Sequence, residues 1–161
     1  MSTPYPSFRI SGLPVGQFEA LYGLSDERLA ELHVVRQRVD AHPGFPDRIE
    51  MRDAEIGETV LLVNHAHLPH ENPYASRHAV FVIEGARRAY QAIDTIPAVL
   101  RLRMLSVRSF DRDQMMIDAD LVDGHEVERL IARLFENPAA AWLHVHYARR
   151  GCFACRVDRG G

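Results

Sequence analysis

"LSVRSFDRDQMMIDADLVDGHEVERLIARLFENPAAAWLHVHYARRGCFACRVD", residues 105–158, decides the fold class of this chain. Its centre, "DGHEVERLIARLFENP" (123–138), carries the clearest helix pattern in the sequence. Asp123 is a helix cap with Glu126 three residues later, and the helix stops at Asn137-Pro138. Apolar residues recur on one face of this predicted helix, at Val127, Leu130, Ile131, Leu134 and Phe135.

Two pairs of predicted strands flank that helix. "LSVRSFD" (105–111) and "QMMIDADLV" (114–122) are joined by a short polar turn, which favours a hairpin. After the helix, "AAWLHVHYA" (140–148) and "CFACRVD" (152–158) surround the turn-like "RRG". Strands therefore occur in clusters instead of alternating with helices.

The amino-terminal two thirds adds shorter elements. We predict strands at 8–14, 33–39, 58–68 and 78–85, the last two buried and able to pair antiparallel. We predict helices at 24–33 with Ser25 as its cap, at 85–93, and at 96–104 beginning at Pro97.

These elements predict an α+β fold, because clustered strands with a few helices favour an antiparallel arrangement. We expect a single globular domain over residues 1–161, with a largely antiparallel or mixed sheet and two to four helices packed on it. A chain of 161 residues is long enough to bury a substantial core.

Composition excludes several classes of partner. The formal net charge is −3, so the chain lacks the positive field that sequence-independent nucleic-acid binding requires. No secretory signal pattern and no apolar run of membrane-spanning length occurs, and we expect a cytoplasmic protein without a membrane partner. The two cysteines are then expected to be reduced.

Histidines are the candidates for a metal site. His144 and His146 lie two apart on a predicted strand and project from one face, and His65 and His67 repeat this spacing. His78 heads a nearby strand, so up to five imidazoles could converge if these strands are neighbours. Imidazole binds zinc, iron and copper, and we expect one such ion as the possible cofactor.

Carboxylates could complete such a site. Asp118 and Asp120 share a strand face, and either of them, or Glu84, could serve as third ligand or as catalytic base. Two alternatives remain open. The histidines could form a polar strand face bonded to its neighbours, or one histidine could perform acid–base catalysis without a metal.

Cys152 and Cys155 have the spacing of a redox or zinc pair. On a strand, however, residues three apart point to opposite faces and lie too far apart for a local disulfide. Cys152 follows Gly151 near Arg149 and Arg150, and cationic neighbours favour a reactive thiolate, so Cys152 is the candidate nucleophile. The alternative is that it only packs.

The loop "NPYASRH" (72–78) is a second candidate binding region. Tyr74, Ser76, Arg77 and His78, together with Arg149, supply donors suited to a carboxylate or phosphate. No phosphate-binding glycine motif accompanies them, and a purely structural loop is the alternative.

Several stretches resemble the bacterial family known as domain of unknown function 1203. They are "NPYASRHAVFV" (72–82), "DADLVDG" (118–124) and "HVHYARRGCFACRVDR" (144–159), with "FRISGLP" and "LLVNHAHLP" upstream. The resemblance spans about residues 8 to 159. It implies that the chain is a member of this family. It does not indicate which reaction, if any, the chain catalyses, because the family carries no established activity or catalytic residues.

The sequence therefore favours a metal-binding protein or a small metal-dependent enzyme that acts on a small molecule. Its metal candidates are His65, His67, His144 and His146. A metal-free module that binds a small anion is one alternative. The other is a structural protein whose histidine face is covered in a homodimer.

Overall fold

The computed structural model describes residues 5–68 and 71–161. The nine strands in this part of the chain are β1 (Phe8–Ser11), β2 (Val35–Arg38), β3 (Thr59–Leu68), β4 (Ser76–Ile83), β5 (Gln91–Ile93), β6 (Met104–Phe110), β7 (Met116–Asp123), β8 (Trp142–Tyr147) and β9 (Phe153–Arg159). The α-helices are α1 (Asp26–Glu31), α2 (Ala98–Arg101) and α3 (Val127–Phe135). None of the described helices is long and apolar enough to cross a membrane.

The strands form two sheets instead of the one sheet that the sequence predicts. Six strands lie in the order β5-β1-β9-β8-β6-β7, and three lie in the order β2-β3-β4. Every pair of neighbouring strands is antiparallel, which confirms the expected pairing direction. The expected pairing of β3 with β4 and the β6–β7 hairpin are both present.

Helices contribute less than predicted, because only α3 exceeds six residues. The helix expected over 85–93 is wrong, since residues 91–93 form β5. The backbone of β1 pairs with these residues, and Ile10 lies opposite Ala92. Pairing with a strand distant in sequence therefore outweighs a short local helix pattern.

The apolar stripe of α3 is buried as predicted. The Asp123 side chain accepts a hydrogen bond from the amide of His125, and one 3₁₀ turn (124–126) precedes the α-helix. Gly124 is required here, because a Cβ atom would lie 1.9 Å from the carbonyl oxygen of Leu100. The turn can thus lie directly against α2.

The two faces of the six-stranded sheet have different surroundings. Leu105, Val107, Leu143 and Val145 pack with α3 in one hydrophobic core. A second core lies beneath the three-stranded sheet and includes Phe153 of β9. Residues that alternate with the first set, among them His144 and His146, face away from α3.

Candidate metal centre

Strand β8 presents His144 and His146 side by side on the sheet face that lies away from α3. Their side chains are almost inaccessible, with 4% and 0% of the residue surface exposed. The apolar residues that alternate with them are held in the core under α3, and this fixes the strand register. The predicted division of this strand into a histidine face and an apolar face is confirmed.

The third histidine comes from the other sheet. Ala66 of β3 lies opposite Arg77, while Leu68 lies opposite Ser76, so His67 is the extra residue of a β-bulge. His67 stays on the face of His65, since His65 lies opposite His78 and the His67 ring stacks on His78. The His67 ring centroid lies 5.2 Å from that of His144 and 4.9 Å from that of His146.

One ring nitrogen from each of His67, His144 and His146 lies within 4.8 Å of the other two. We call these three residues the histidine triad. The Nδ1 atoms of His67 and His144 are 3.3 Å apart. On the far side of the His67 ring, Nε2 lies 2.6 Å from the Ser76 hydroxyl, which can accept its hydrogen and leave Nδ1 unprotonated.

His146 has one nitrogen satisfied and one without a partner. Its Nδ1 lies 3.1 Å from the carbonyl oxygen of Gly151, which only accepts, so Nδ1 carries the hydrogen. Its Nε2 therefore keeps a free lone pair. That atom is buried and has no hydrogen-bond partner among the described residues.

Aromatic rings enclose the triad. Phe153 stacks on His67, with centroids 5.1 Å apart and an angle of 8° between the planes. The same ring lies edge-on to both His144 and His146. Phe110 contacts His144 from the other side, with a centroid distance of 5.1 Å. The triad is consequently held in apolar surroundings.

Burial keeps the triad neutral at pH 7. It lowers the pKa of His67 to about 4, of His144 to about 2 and of His146 to about 3. Positive neighbours, mainly other histidines and Arg108, lower these pKa values further. Neutral imidazole is the form that binds metal ions.

His65 and His78 lie beside the triad and are not part of it. The His78 ring stacks on His67 at 4.8 Å, but its Nδ1 accepts a hydrogen bond of 3.2 Å from the amide of Phe153. His65 packs between Phe18 and Phe153. Of the five histidines considered together in the sequence, three bring their nitrogens within metal-binding reach.

The carboxylates named as possible ligands or bases lie elsewhere. Asp118 and Asp120 share a face, as predicted, but it is the α3 face of β7, where both pair with Arg133. Glu84 binds Arg36 and the amide of Gly23. The structure therefore does not bring these carboxylates to the histidines. The register of β7 with β6 places Asp118 and Asp120 on the sheet face opposite to the one that carries His144 and His146.

The predicted anion-binding residues are divided among several places. Ser76 and His78 lie at the triad, whereas Arg77 is exposed and bonds Asn64. Tyr74 packs edge-on against the Phe110 ring, 6.5 Å between centroids. Arg149 and His78 both line a cleft beside the triad, and Tyr74, Ser76 and Arg77 are not part of its lining. The loop does not gather these residues into one site.

Cys152, the candidate nucleophile, has an arginine as its neighbour. Nη2 of Arg48 lies 3.0 Å from the Cys152 Sγ. Cys155 is buried in the core, and burial raises its thiol pKa to about 12. Both cysteines are free, in agreement with the expectation that no local disulfide forms.

A cleft of about 880 Å³ lies next to the triad. Its walls combine aromatic and basic side chains, including Phe45, Phe81, Arg48, Arg103, Arg149 and Arg150. His78 lines this cleft and also stacks on His67. Cys152 is also part of the lining, so the candidate thiol faces the cleft.

Sequence reasoning did not identify Arg108. It lies on β6 directly opposite His144 and is half-buried. Its one hydrogen bond to a described residue is a long one, 3.4 Å from Nε to the Ser106 hydroxyl. The alternation of "LSVRSF" places Ser106 and Arg108 on one face of their strand, and this was the only sequence signal for Arg108. It did not show that β6 neighbours β8.

Comparison with known proteins identifies a family and no activity. Residues 44–159 match the model of the family described as "Protein of unknown function (DUF1203)". This match confirms the resemblance noted in the sequence, and it includes the whole triad, Ser76 and Arg108. No curated protein and no solved structure matches the chain significantly.

Proposed function

We propose that this chain, which belongs to the DUF1203 family, binds one transition-metal ion through His67, His144 and His146. The ion then uses its remaining coordination position to bind or activate a small molecule. Zinc, iron and copper all suit three imidazole ligands.

His146 carries this proposal. Burying a nitrogen without a hydrogen bond costs about 1–3 kcal/mol. The Gly151 carbonyl accepts the hydrogen of Nδ1, and this tautomer leaves the free lone pair on Nε2, on the side of the ring away from the turn. A backbone carbonyl that holds one ring nitrogen while the other binds the ion is the usual arrangement of histidine ligands in metalloproteins.

The spacing of the triad supports the same conclusion. Two imidazoles on a tetrahedral zinc ion have their ligand nitrogens about 3.3 Å apart. The Nδ1 atoms of His67 and His144 already have this separation. Each of the three residues offers a ring nitrogen within 4.8 Å of those of the other two, so an approach of at most about 1.5 Å would complete the set.

Three ligands favour a reactive site over a structural one. Structural zinc sites use four protein ligands, whereas catalytic sites use three and leave a position for water or substrate. Bound metal can polarise a substrate oxygen or lower the pKa of a bound water. Ser76 holds His67 in position, and Phe153 limits the access of bulk water.

Metal analysis of tag-free protein tests this proposal. We expect about one zinc, iron or copper ion per chain, either as purified or after incubation with each salt. His144→Gln and His146→Gln are expected to lose binding at least tenfold. His125→Gln is the matched control, because His125 is exposed and far from the triad in the fold. Metal-free wild-type protein after incubation, or full binding by either triad variant, would contradict the proposal.

A second candidate function rests on the cleft. Four arginines line it, and Arg149 and Arg150 are exposed without a described ion pair. A metal-free module binding a small anion would use this cleft, and its affinity would be unchanged by His144→Gln. Loss of anion affinity in an Arg149→Ala, Arg150→Ala variant would support that function.

A further inference from the structure

We propose that the ligand of the histidine triad's metal ion is a small organic carboxylate, and that Arg108 binds the carboxylate group. This inference rests on the proposed metal site and names the class of molecule that occupies it. Arg108 acts here as a substrate-binding and specificity-determining residue.

Arg108 is placed to reach a molecule bound at the metal. In the pairing of β6 with β8 it lies directly opposite His144, and residues opposite each other on neighbouring strands share a face. Ser106 lies opposite His146 on the same face. Arg108 therefore lies on the same face of the sheet as His144 and His146, close enough to lower the pKa of all three triad histidines.

The guanidinium of Arg108 has no counter-ion within the described residues. Every other half-buried arginine among the described residues pairs with a carboxylate: Arg9 with Asp158, Arg36 with Glu84, Arg52 with Glu58, Arg101 with Glu128 and Arg103 with Asp53. Arg108 has only the long contact to Ser106. A half-buried cation without a partner is costly unless an anion completes it.

The charge around the triad is positive. Among charged side chains, Arg108 acts on the pKa of all three triad histidines and Arg156 on that of His144, and no described carboxylate is among the main contributors. A divalent ion would add two further positive charges. A neutral ligand would leave this charge uncompensated, whereas a carboxylate can bind the ion with one oxygen and the guanidinium with the other.

Neighbouring side chains indicate what the carboxylate is attached to. Leu121 lies opposite Ser106 and is 61% exposed, and Met104 on the same face is 49% exposed. Ala119, opposite Arg108, is also exposed. This apolar surface beside the guanidinium favours a carboxylate with a hydrocarbon substituent over inorganic phosphate.

Benzoate is a suitable probe, with benzamide as its uncharged analogue. Zinc-loaded wild-type protein is titrated with each by calorimetry, and the zinc content of every variant is measured first. We expect benzoate to bind, benzamide to bind at least tenfold more weakly, and Arg108→Met to lose benzoate affinity at least tenfold while retaining zinc. Arg108→Lys is expected to recover part of the affinity, because it restores the charge without the planar guanidinium. Arg112→Met is the control, since Arg112 is an exposed arginine in the β6–β7 turn.

The outcomes separate the two proposals. Absence of zinc in wild-type protein contradicts the metal site itself. Zinc-loaded protein that does not bind benzoate, or that binds it equally well after Arg108→Met, overturns only the inference about the ligand. Inorganic phosphate that binds at least tenfold more tightly than benzoate also overturns the choice of a carboxylate.

Discussion

Two clusters of buried polar side chains in the described part of the chain differ in how completely their hydrogen bonds are satisfied. Asp47 and Arg48 form the first, with 0% and 1% of their surfaces exposed. The histidine triad forms the second. Both are largely closed to solvent, but the two side chains of the first are hydrogen-bonded, whereas the second contains a ring nitrogen without a described partner.

The Asp47 carboxylate accepts backbone hydrogen bonds from Ile49, Glu50 and Ile83. Arg48 donates to the carbonyls of Pro46 and Phe153 and to the Cys152 sulfur. These bonds join the 45–50 segment to β4 and β9. In the triad, by contrast, the Nε2 atom of His146 forms no hydrogen bond with a described residue. A buried polar group with all its partners stabilises the fold, whereas one with an unused lone pair is suited to a ligand.

The largest effect is expected from Asp47→Ala. The substitution leaves three backbone amides without their acceptor in the protein interior, and each such loss costs about 1–3 kcal/mol. We predict a decrease in the free energy of unfolding of about 3 kcal/mol or more, measured by urea denaturation of metal-free protein. A loss below about 1 kcal/mol would show that this site is not structural.

The acid stability of metal-free protein is expected to depend on the triad. Burial lowers the folded-state pKa of His144 to about 2, below the ordinary value of 6.5 in the unfolded chain. The unfolded state therefore binds more protons below about pH 6.5, and stability falls as the pH decreases from there. His144→Phe removes one of these protons and is expected to reduce the slope between pH 6 and pH 4 by up to about 1.4 kcal/mol per pH unit.

Urea denaturation at several pH values, in the presence of a chelator, measures these slopes. His125→Phe is the matched control, because His125 is exposed and its replacement should leave the slope almost unchanged. Equal slopes for wild-type protein and His144→Phe would contradict the buried, neutral state of His144.

His144→Phe should cost little stability at pH 7. The new ring retains the packing against Phe110 and Phe153. The substitution removes one hydrogen bond, the one to His67, and His67 keeps its bond to Ser76. We predict a change of less than about 1 kcal/mol in metal-free protein, together with loss of metal binding. A destabilisation as large as that of Asp47→Ala would instead indicate a structural triad.

The smallest effect is expected from the double substitution Asp118→Asn, Asp120→Asn. Both side chains are about half exposed and pair with Arg133 on the face away from the triad. We predict a stability change of about 0.5 kcal/mol or less, with metal affinity unchanged. Tenfold weaker zinc binding in this variant would place these carboxylates in the site after all.

The sequence predicted local features well and spatial neighbours poorly. The α3 stripe, the Ser25 cap and most strands followed from periodicity and capping, which depend on nearby residues only. The separation into two sheets and the pairing of β5 with β1 depend on contacts between distant residues, and short strand patterns do not encode their order.

The same difference between local features and long-range contacts explains which residues of the candidate site could be predicted. The strand period placed His144 and His146 together correctly. It could not distinguish His67 from His65, because both lie on one face of β3 and only the packing of the two sheets brings His67 against His144 and His146. It also could not show that Arg108 lies opposite His144, since this requires the β6–β8 register. The choice of Asp118 and Asp120 used the correct period without knowing which face of β7 meets the histidines.

X-ray absorption spectroscopy of zinc-loaded protein tests the central claim most directly, because it reports the atoms bound to the ion. The proposed site predicts nitrogen or oxygen ligands at about 2.0 Å, with outer-shell scattering from about three imidazoles that decreases in His146→Gln. A sulfur ligand at about 2.3 Å, or an oxygen-only shell without imidazole scattering, would contradict it.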